Sequence, residues 1–353
     1  VFHVTDICKN NEIMATLSQR IRAFEILGDM LDEWCTAPQD VDAIQKTVSV
    51  NPWFREEDIV KALQNLRPWL TRESLEEWCA AYVIEDRPDI RARVALVMAG
   101  NIPLVNFHDA LAILIQGHQL LSKTASRDPF LFPALAQELI KINPDFERDI
   151  QCENGLLKDF DAVIATGSNN ATRYFSYYFG KYPHIIRHNR SSIAVLDGTE
   201  TDEQIEAFGA DVFDYFGMGC RNISLFLLPE NMDVTRLAGA WKSWTSIGNH
   251  GSYFNNYEYR KAVLLINSRP HLDSGFFLME ENESLHSPIG VLHYARYRNP
   301  KHLQNMLGEL AADTQVCYGF QDERVLPGTG QAPALMDYPD GVDTMAFLKN
   351  WRP

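Results

Sequence analysis

Cys220 stands in the stretch DVFDYFGMGCRNISLFLLPE (211–230), after a helix-like segment and before an apolar, strand-like run. A thiolate can attack a carbonyl carbon and hold the acyl group as a thioester. Gly217 and Gly219 leave room for a substrate to approach the sulfur and let backbone N–H groups face the reacting carbon. For a cysteine taken alone, a buried structural thiol is the commoner role. In MAGNIPLVNFHD, Asn101 follows a glycine at a strand end and Pro103 stiffens the turn. An amide there can donate to a developing oxyanion, or simply stabilise its own turn. In AVIATGSNN a buried strand ends at Gly167-Ser168 and runs into a helix, which places N–H groups and a hydroxyl where a phosphate can sit. The spacing is not G-x-G-x-x-G, and a plain strand-to-helix turn is the commoner explanation of this motif alone.

These residues need elements to carry them. Residues 14–85 show apolar positions at helical spacing (Leu17, Ile21, Phe24, Leu27; then Leu63, Leu66, Leu70) and form a helical segment. From Arg91 the pattern alternates: RARVALVMAG strand, NFHDALAILIQGH helix, QLLSK strand, PFLFPALAQELIKI helix, DAVIAT strand, GSNNATRYFSYYFG a loop into a helix, then the strands HIIRH and SSIAVLDG. Thr201 and Gln204 make a capping box for the helix that follows, and NISLFLLPE returns to strand. Strands alternating with helices of this length specify an α/β protein with a parallel sheet. Past residue 235 the pattern is mixed and reads as a second, smaller α/β lobe.

The 353 residues are 46% hydrophobic and 22% charged, enough apolar material for a sizeable core. The formal net charge of −15 argues against a general nucleic-acid binder. The cluster Arg187, His188, Arg190 could hold a small anion, although a solvated edge is the blander reading. Six scattered cysteines with no C-x-x-C pair, and ten histidines without ligand spacing, point to neither a disulfide framework nor a metal site, and suit a reducing cytoplasm. No apolar run reaches the roughly 18 residues of a membrane span. Residues 1–13 lack the features of a signal peptide and are expected to be an extension without structural duty.

Taken in order, the motifs resemble those of the aldehyde dehydrogenase superfamily, and within it the acyl-CoA reductase family that includes the fatty-acid reductase of bacterial bioluminescence. GNIPLVNFHD resembles the family's Asn-x-Pro turn, LLSKTASRDP its strand-end lysine segment, ATGSNNATRYF its Gly-Ser turn, NRSSIAVLDG the strand before the nucleophile helix, and FGMGCRN its nucleophile loop. The resemblance is good over residues 91–230 and thins beyond. It implies Cys220 as nucleophile, Asn101 as oxyanion donor, Lys123 at the adenosine ribose, and Gly167 and Ser168 beneath the pyrophosphate. It also implies a Rossmann-type cofactor domain with the helical segment (14–213), a smaller catalytic domain (214–325), and a tail (326–353) packing on the cofactor domain or a partner subunit. A homo-oligomer, at least a dimer, is expected.

Aldehyde-oxidising members carry a glutamate that activates water. The matching position falls near Ile186, and no Asp or Glu occurs between Asp161 and Asp197. Without a proton acceptor, hydrolysis of an acyl-cysteine is slow, and the acyl group waits for a thiol or a hydride. A second family glutamate, which orients the nicotinamide ribose, has no clean counterpart; Glu283 and Ser287 lie nearby. Where NAD-preferring relatives often place a glutamate three residues after the lysine, this chain has Ser126 followed by Arg127, which favours NADPH, with NADH as the other donor. The expected activity is reduction of an acyl-CoA to an aldehyde. The rivals are an aldehyde dehydrogenase, a non-catalytic cofactor-binding protein on the same scaffold, and an acyltransferase subunit that stops at the acyl-cysteine.

Overall fold

A computed structural model describes residues 14–320 and 324–351; the expected extension at residues 1–13 lies outside them. The chain forms two compact units. One runs to His188 and resumes at Ala334; the other is Asn189–Pro333.

The first unit opens with helices α1 (Leu17–Thr36), α2 (Asp42–Val50), α3 (Glu56–Leu66) and α4 (Arg72–Tyr82). Thr16 and Gln19 cap α1 reciprocally. Then come β1 (Arg93–Val97), α5 (Phe107–Ile115), β2 (Gln119–Lys123), α6 (Leu131–Ile142), β3 (Ile150–Cys152), β4 (Ala162–Thr166), α7 (Asn169–Phe179) and β5 (His184–Arg187). The five strands form an all-parallel sheet in the order β3-β2-β1-β4-β5. The centres of β1 and β4 read as unbroken apolar runs because both faces are covered. Every residue of α5 is buried, and Phe24, Leu63 and Trp78 of the helical segment share one core with Leu96, Ile113 and Ile164. Strand order reverses between β1 and β4, and a parallel α/β sheet binds ligands outside the carboxyl ends of its strands at such a point.

The second unit contains β6 (Ser191–Val195), α8 (Asp202–Phe213), β7 (Ile223–Pro229), α9 (Thr235–Ala240), α10 (Gly251–Ile266), β8 (Leu272–Asp273), β9 (Leu278–Glu281), β10 (Val291–Tyr297), α11 (Pro300–Leu310) and β11 (Thr314–Tyr318). Its sheet runs β11-β6-β7-β10-β9-β8, parallel except for β8 against β9. Ile193, Leu225, Leu227 and Ala295 pack with Met306 of α11, while Phe208, Phe213, Phe226, Trp241 and Phe277 form an aromatic cluster. After this unit the chain returns to the first one with α12 (Thr344–Lys349), whose Met345 and Leu348 enter the first core.

The compact units divide at 188/189 and 333/334. The reason is hydrogen bonding: β6 pairs with β7 and β11, so β6 and α8 go with the second sheet.

Candidate active site

In the first unit the expected residues gather at the carboxyl edge of the sheet. Half-buried Asn101 lies in the turn after β1. Lys123 ends β2 opposite Val97, and its carbonyl accepts from the Met98 N–H at 2.9 Å. Ser126 and Arg127 are exposed in a turn closed by the Asp128 N–H on the Ala125 carbonyl at 3.0 Å. Gly167 follows β4, where a Cβ would lie 2.8 Å from Phe175 Cε2 and 2.9 Å from Ala171 Cβ. Ser168 is exposed and caps α7, its Oγ accepting from the Ala171 N–H at 3.3 Å. Asn101 and Gly167-Ser168 thus sit on the two strands that flank the reversal of strand order, with Lys123 one strand away.

A buried polar network stands behind this edge. Asn106 Oδ1 accepts from the Ala99 N–H at 2.8 Å, and its amide donates to Thr166 Oγ1 at 2.9 Å and to Asp109 Oδ2 at 3.0 Å. Arg187, at the end of β5, donates to Asp109 at 2.6 Å and to Thr344 of α12 at 3.0 Å. Burial works against the Asp109 carboxylate, but Arg187, His108 and Asn106 together hold its pKa below the ordinary range. Arg187 is therefore neither an anion ligand nor a solvated edge: its guanidinium is committed inside the core. On β5 this buried arginine directly follows Ile186.

Cys220 belongs to the second unit, half-buried in the loop between α8 and β7. The loop enters with three successive left-handed residues, Tyr215 (φ 52°), Phe216 (φ 58°) and Gly217 (φ 74°). Only glycine takes that conformation freely, and a non-glycine residue there costs about 1–2 kcal/mol. Surrounding bonds over-determine the turn. Asn222, buried, accepts from the Gly219 N–H at 2.8 Å and donates to the carbonyls of Asp211 and Asp214, both at 3.0 Å. Ser192 Oγ of β6 donates to the Cys220 carbonyl at 2.9 Å and accepts from the Val316 N–H of β11 at 3.1 Å. Tyr318 donates to the Arg221 carbonyl at 2.7 Å. Phe216 stacks on His250 with centroids 4.3 Å apart. The backbone on both sides of the sulfur is pinned by side chains from β6 and β11 and by Asn222 of the loop itself. A cavity of about 50 Å³, lined by Phe213, Phe216, Gly217, Tyr253, Phe277 and Ser287 among others, lies beside the loop.

Burial pushes Cys79 up to about 11 and also raises Cys35. No group of three or more His, Cys, Asp or Glu among the described residues could hold a metal ion, and no described helix is long and apolar enough to cross a membrane. The sequence reading did not find Asn222, Ser192 or Tyr318. An asparagine two residues after the cysteine is a local signal for the first; nothing local marks the other two, which arrive from distant strands.

The fold is that of the aldehyde dehydrogenase superfamily. Aldehyde dehydrogenase 21 from Physcomitrella patens superposes with a TM-score of 0.66 at 14% identity, covering 87% of this chain and 74% of that one. An aldehyde dehydrogenase from Bacillus cereus, solved with NAD+, gives 0.61 at 14% identity over 87% and 72%. Residues 71–227 match the acyl-CoA reductase (LuxC) family, the one that the Asn101, Lys123, Ser168 and Cys220 motifs resemble. Similar curated proteins are the long-chain acyl-protein thioester reductase of Aliivibrio fischeri, 24% identical over 201 residues, and long-chain acyl-protein thioester reductase 2 of Photobacterium leiognathi, 20% identical over 181. The aligned segments cover 47% and 46% of this chain and 42% and 38% of those relatives' own length.

Proposed function

We propose that this protein reduces a fatty acyl thioester to an aldehyde through an acyl-cysteine on Cys220, with acyl-CoA as donor and NADPH as reductant. The observation that carries the reading is the pairing of a pinned cysteine loop inside the family match with a span, residues 162–196, that offers no carboxylate to activate water.

The Cys220 thiolate attacks the thioester carbonyl; its sulfur bonds to carbon and coenzyme A leaves as the thiolate. The Asn101 side-chain amide and the Cys220 N–H supply the donors for the tetrahedral oxyanion, worth about 3–4 kcal/mol per donor in other enzymes. A reduced nicotinamide, held by the sheet-edge residues named below, would supply the hydride for the acyl carbon. The C–S bond then breaks, releasing aldehyde and returning the electron pair to sulfur. The residues at the sheet edge fit a dinucleotide: Gly167 keeps the turn free of a Cβ, Ser168 and the first N–H groups of α7 are exposed for a pyrophosphate, and Lys123, Ser126 and Arg127 suit a 2′-phosphorylated ribose. The same reading carries a homo-oligomer working in the cytoplasm.

A second donor class is favoured by the names of the relatives, which are acyl-protein thioester reductases; the carrier thiol is then a protein's, and the chemistry at Cys220 is unchanged. The test is purified protein with NADPH and a series of acyl-CoA chain lengths, read by loss of absorbance of the reduced cofactor. Consumption should require the thioester and vanish in Cys220→Ala. Turnover that persists in that variant, or release of free acid instead of aldehyde, would overturn the proposal.

A further inference from the structure

We infer that Asp128 is a positioning residue that ties the 123–128 cofactor loop to the turn carrying Asn101, so that the state of one loop is felt by the other. The inference rests on the roles proposed above for those two segments, and nothing in those roles involves Asp128.

The turn after β1 is gripped at both ends by buried side chains. Asn106 holds the Ala99 N–H, as described; Asp128 Oδ2 holds the Leu104 N–H at 3.2 Å. Asn101 lies between these anchors. Leu104 is left-handed (φ 56°), a conformation that costs a non-glycine residue about 1–2 kcal/mol. The Asn106 anchor is tied to β4 and α5 through Thr166 and Asp109, so it is fixed to the sheet. The Asp128 anchor instead comes from the cofactor loop, closed by its own N–H on Ala125. One end of the Asn101 turn is therefore held by the scaffold and the other by a loop assigned to the nucleotide.

The two segments also touch directly. A Cβ on Gly100 would lie 2.7 Å from Ala125 Cβ and 3.1 Å from Arg127 Cβ, so glycine is what permits the approach. On its far side the loop is moored by Asn51, which follows α2 and donates to the Arg127 carbonyl at 2.9 Å. A shift of residues 123–127 on nucleotide binding has two routes into the turn, the Gly100 contact and the Asp128 carboxylate. Burial opposes ionisation of Asp128 and the Leu104 N–H favours it.

The experiment compares wild type, Asp128→Ala and Asp128→Asn by hydrogen exchange of residues 99–106, with and without NADPH, and by steady-state kinetics. In the unliganded protein, Asp128→Ala should speed exchange over 99–106. NADPH should slow that exchange in wild type and lose this effect in Asp128→Ala while still binding. Asp128→Asn, which keeps one acceptor oxygen, should recover part of the protection. In turnover, kcat of Asp128→Ala should fall roughly tenfold or more with KM for the thioester within about twofold, because a 1 Å misplacement of a reacting group can cost ~100-fold. Unchanged exchange over 99–106 in Asp128→Ala overturns the tie whether or not the protein reduces thioesters. Altered exchange in a protein that reduces none leaves the tie standing and removes the proposed reaction.

Discussion

Removing the side chain of Asn222 tests how the nucleophile loop is held. That amide serves three buried backbone groups, the Gly219 N–H and the Asp211 and Asp214 carbonyls, at 2.8–3.0 Å. Each such bond contributes about 1 kcal/mol net, and a buried partner left unpaired costs about 1–3 kcal/mol. The left-handed pair Tyr215-Phe216 has no intrinsic preference for its conformation and relaxes once released. Asn222→Ala should therefore lose about 3–4 kcal/mol of unfolding free energy by urea denaturation. Acylation of Cys220 should slow by about 100-fold in single-turnover mixing, since the sulfur is no longer held within an ångström of its place. Asn222→Asp keeps an acceptor for Gly219 but sets a carboxylate oxygen against two carbonyls, so it should be no better than alanine. A loss below about 1 kcal/mol with wild-type acylation would refute the claim that Asn222 holds the loop.

Three further outcomes follow from the first unit. Gly100→Ala forces a methyl to within 2.7 Å of Ala125, and overpacking of about 1–3 kcal/mol should weaken NADPH binding roughly tenfold or more in fluorescence titration. Burial raises the Asp128 pKa to about 6, above its value of about 3.9 in the unfolded chain, so its contribution is fully present below pH ~4 and is lost as pH rises through 6. Asp128→Asn should thus be more stable than wild type at pH 7–8, by up to about 3 kcal/mol, with the difference vanishing near pH 4 in denaturation series. Arg187→Met leaves Asp109 charged and buried without its partner, and should cost about 3–5 kcal/mol in the same assay; equal stability would show that the pair is not what holds α12 and β5 to α5.

Much of this molecule was legible in its residues, for identifiable reasons. The strands RVALV, QLLSK, AVIAT and SSIAV are short apolar runs bounded by turn residues, and all four form where that pattern puts them. The capping box at Thr201 and Gln204 forms because both partners lie within one turn of helix. β3 escaped notice because it is a three-residue edge strand with two exposed positions, too short to show a period. Which sheet β6 joins could not be read either: its own apolar pattern suits both, and the choice is made by partners at Ile223–Leu227 and Thr314–Tyr318. Asn101, Lys123, Gly167 and Ser168 were singled out by type and order, and they lie at the carboxyl ends of β1, β2 and β4. The residues that hold the Asn101 turn and the Cys220 loop were not marked by any such signal. Asp128, Ser192 and Tyr318 act through backbone bonds to segments 24, 28 and 97 residues away, a relation that no local pattern encodes.

The most direct test of the account is mass spectrometry of the protein mixed with a long-chain acyl-CoA in the absence of reductant. The account predicts one acyl group per chain on the peptide containing Cys220, stable in buffer and discharged as one equivalent of aldehyde when NADPH is added. No adduct, an adduct on another cysteine, or discharge to free acid without NADPH would contradict it.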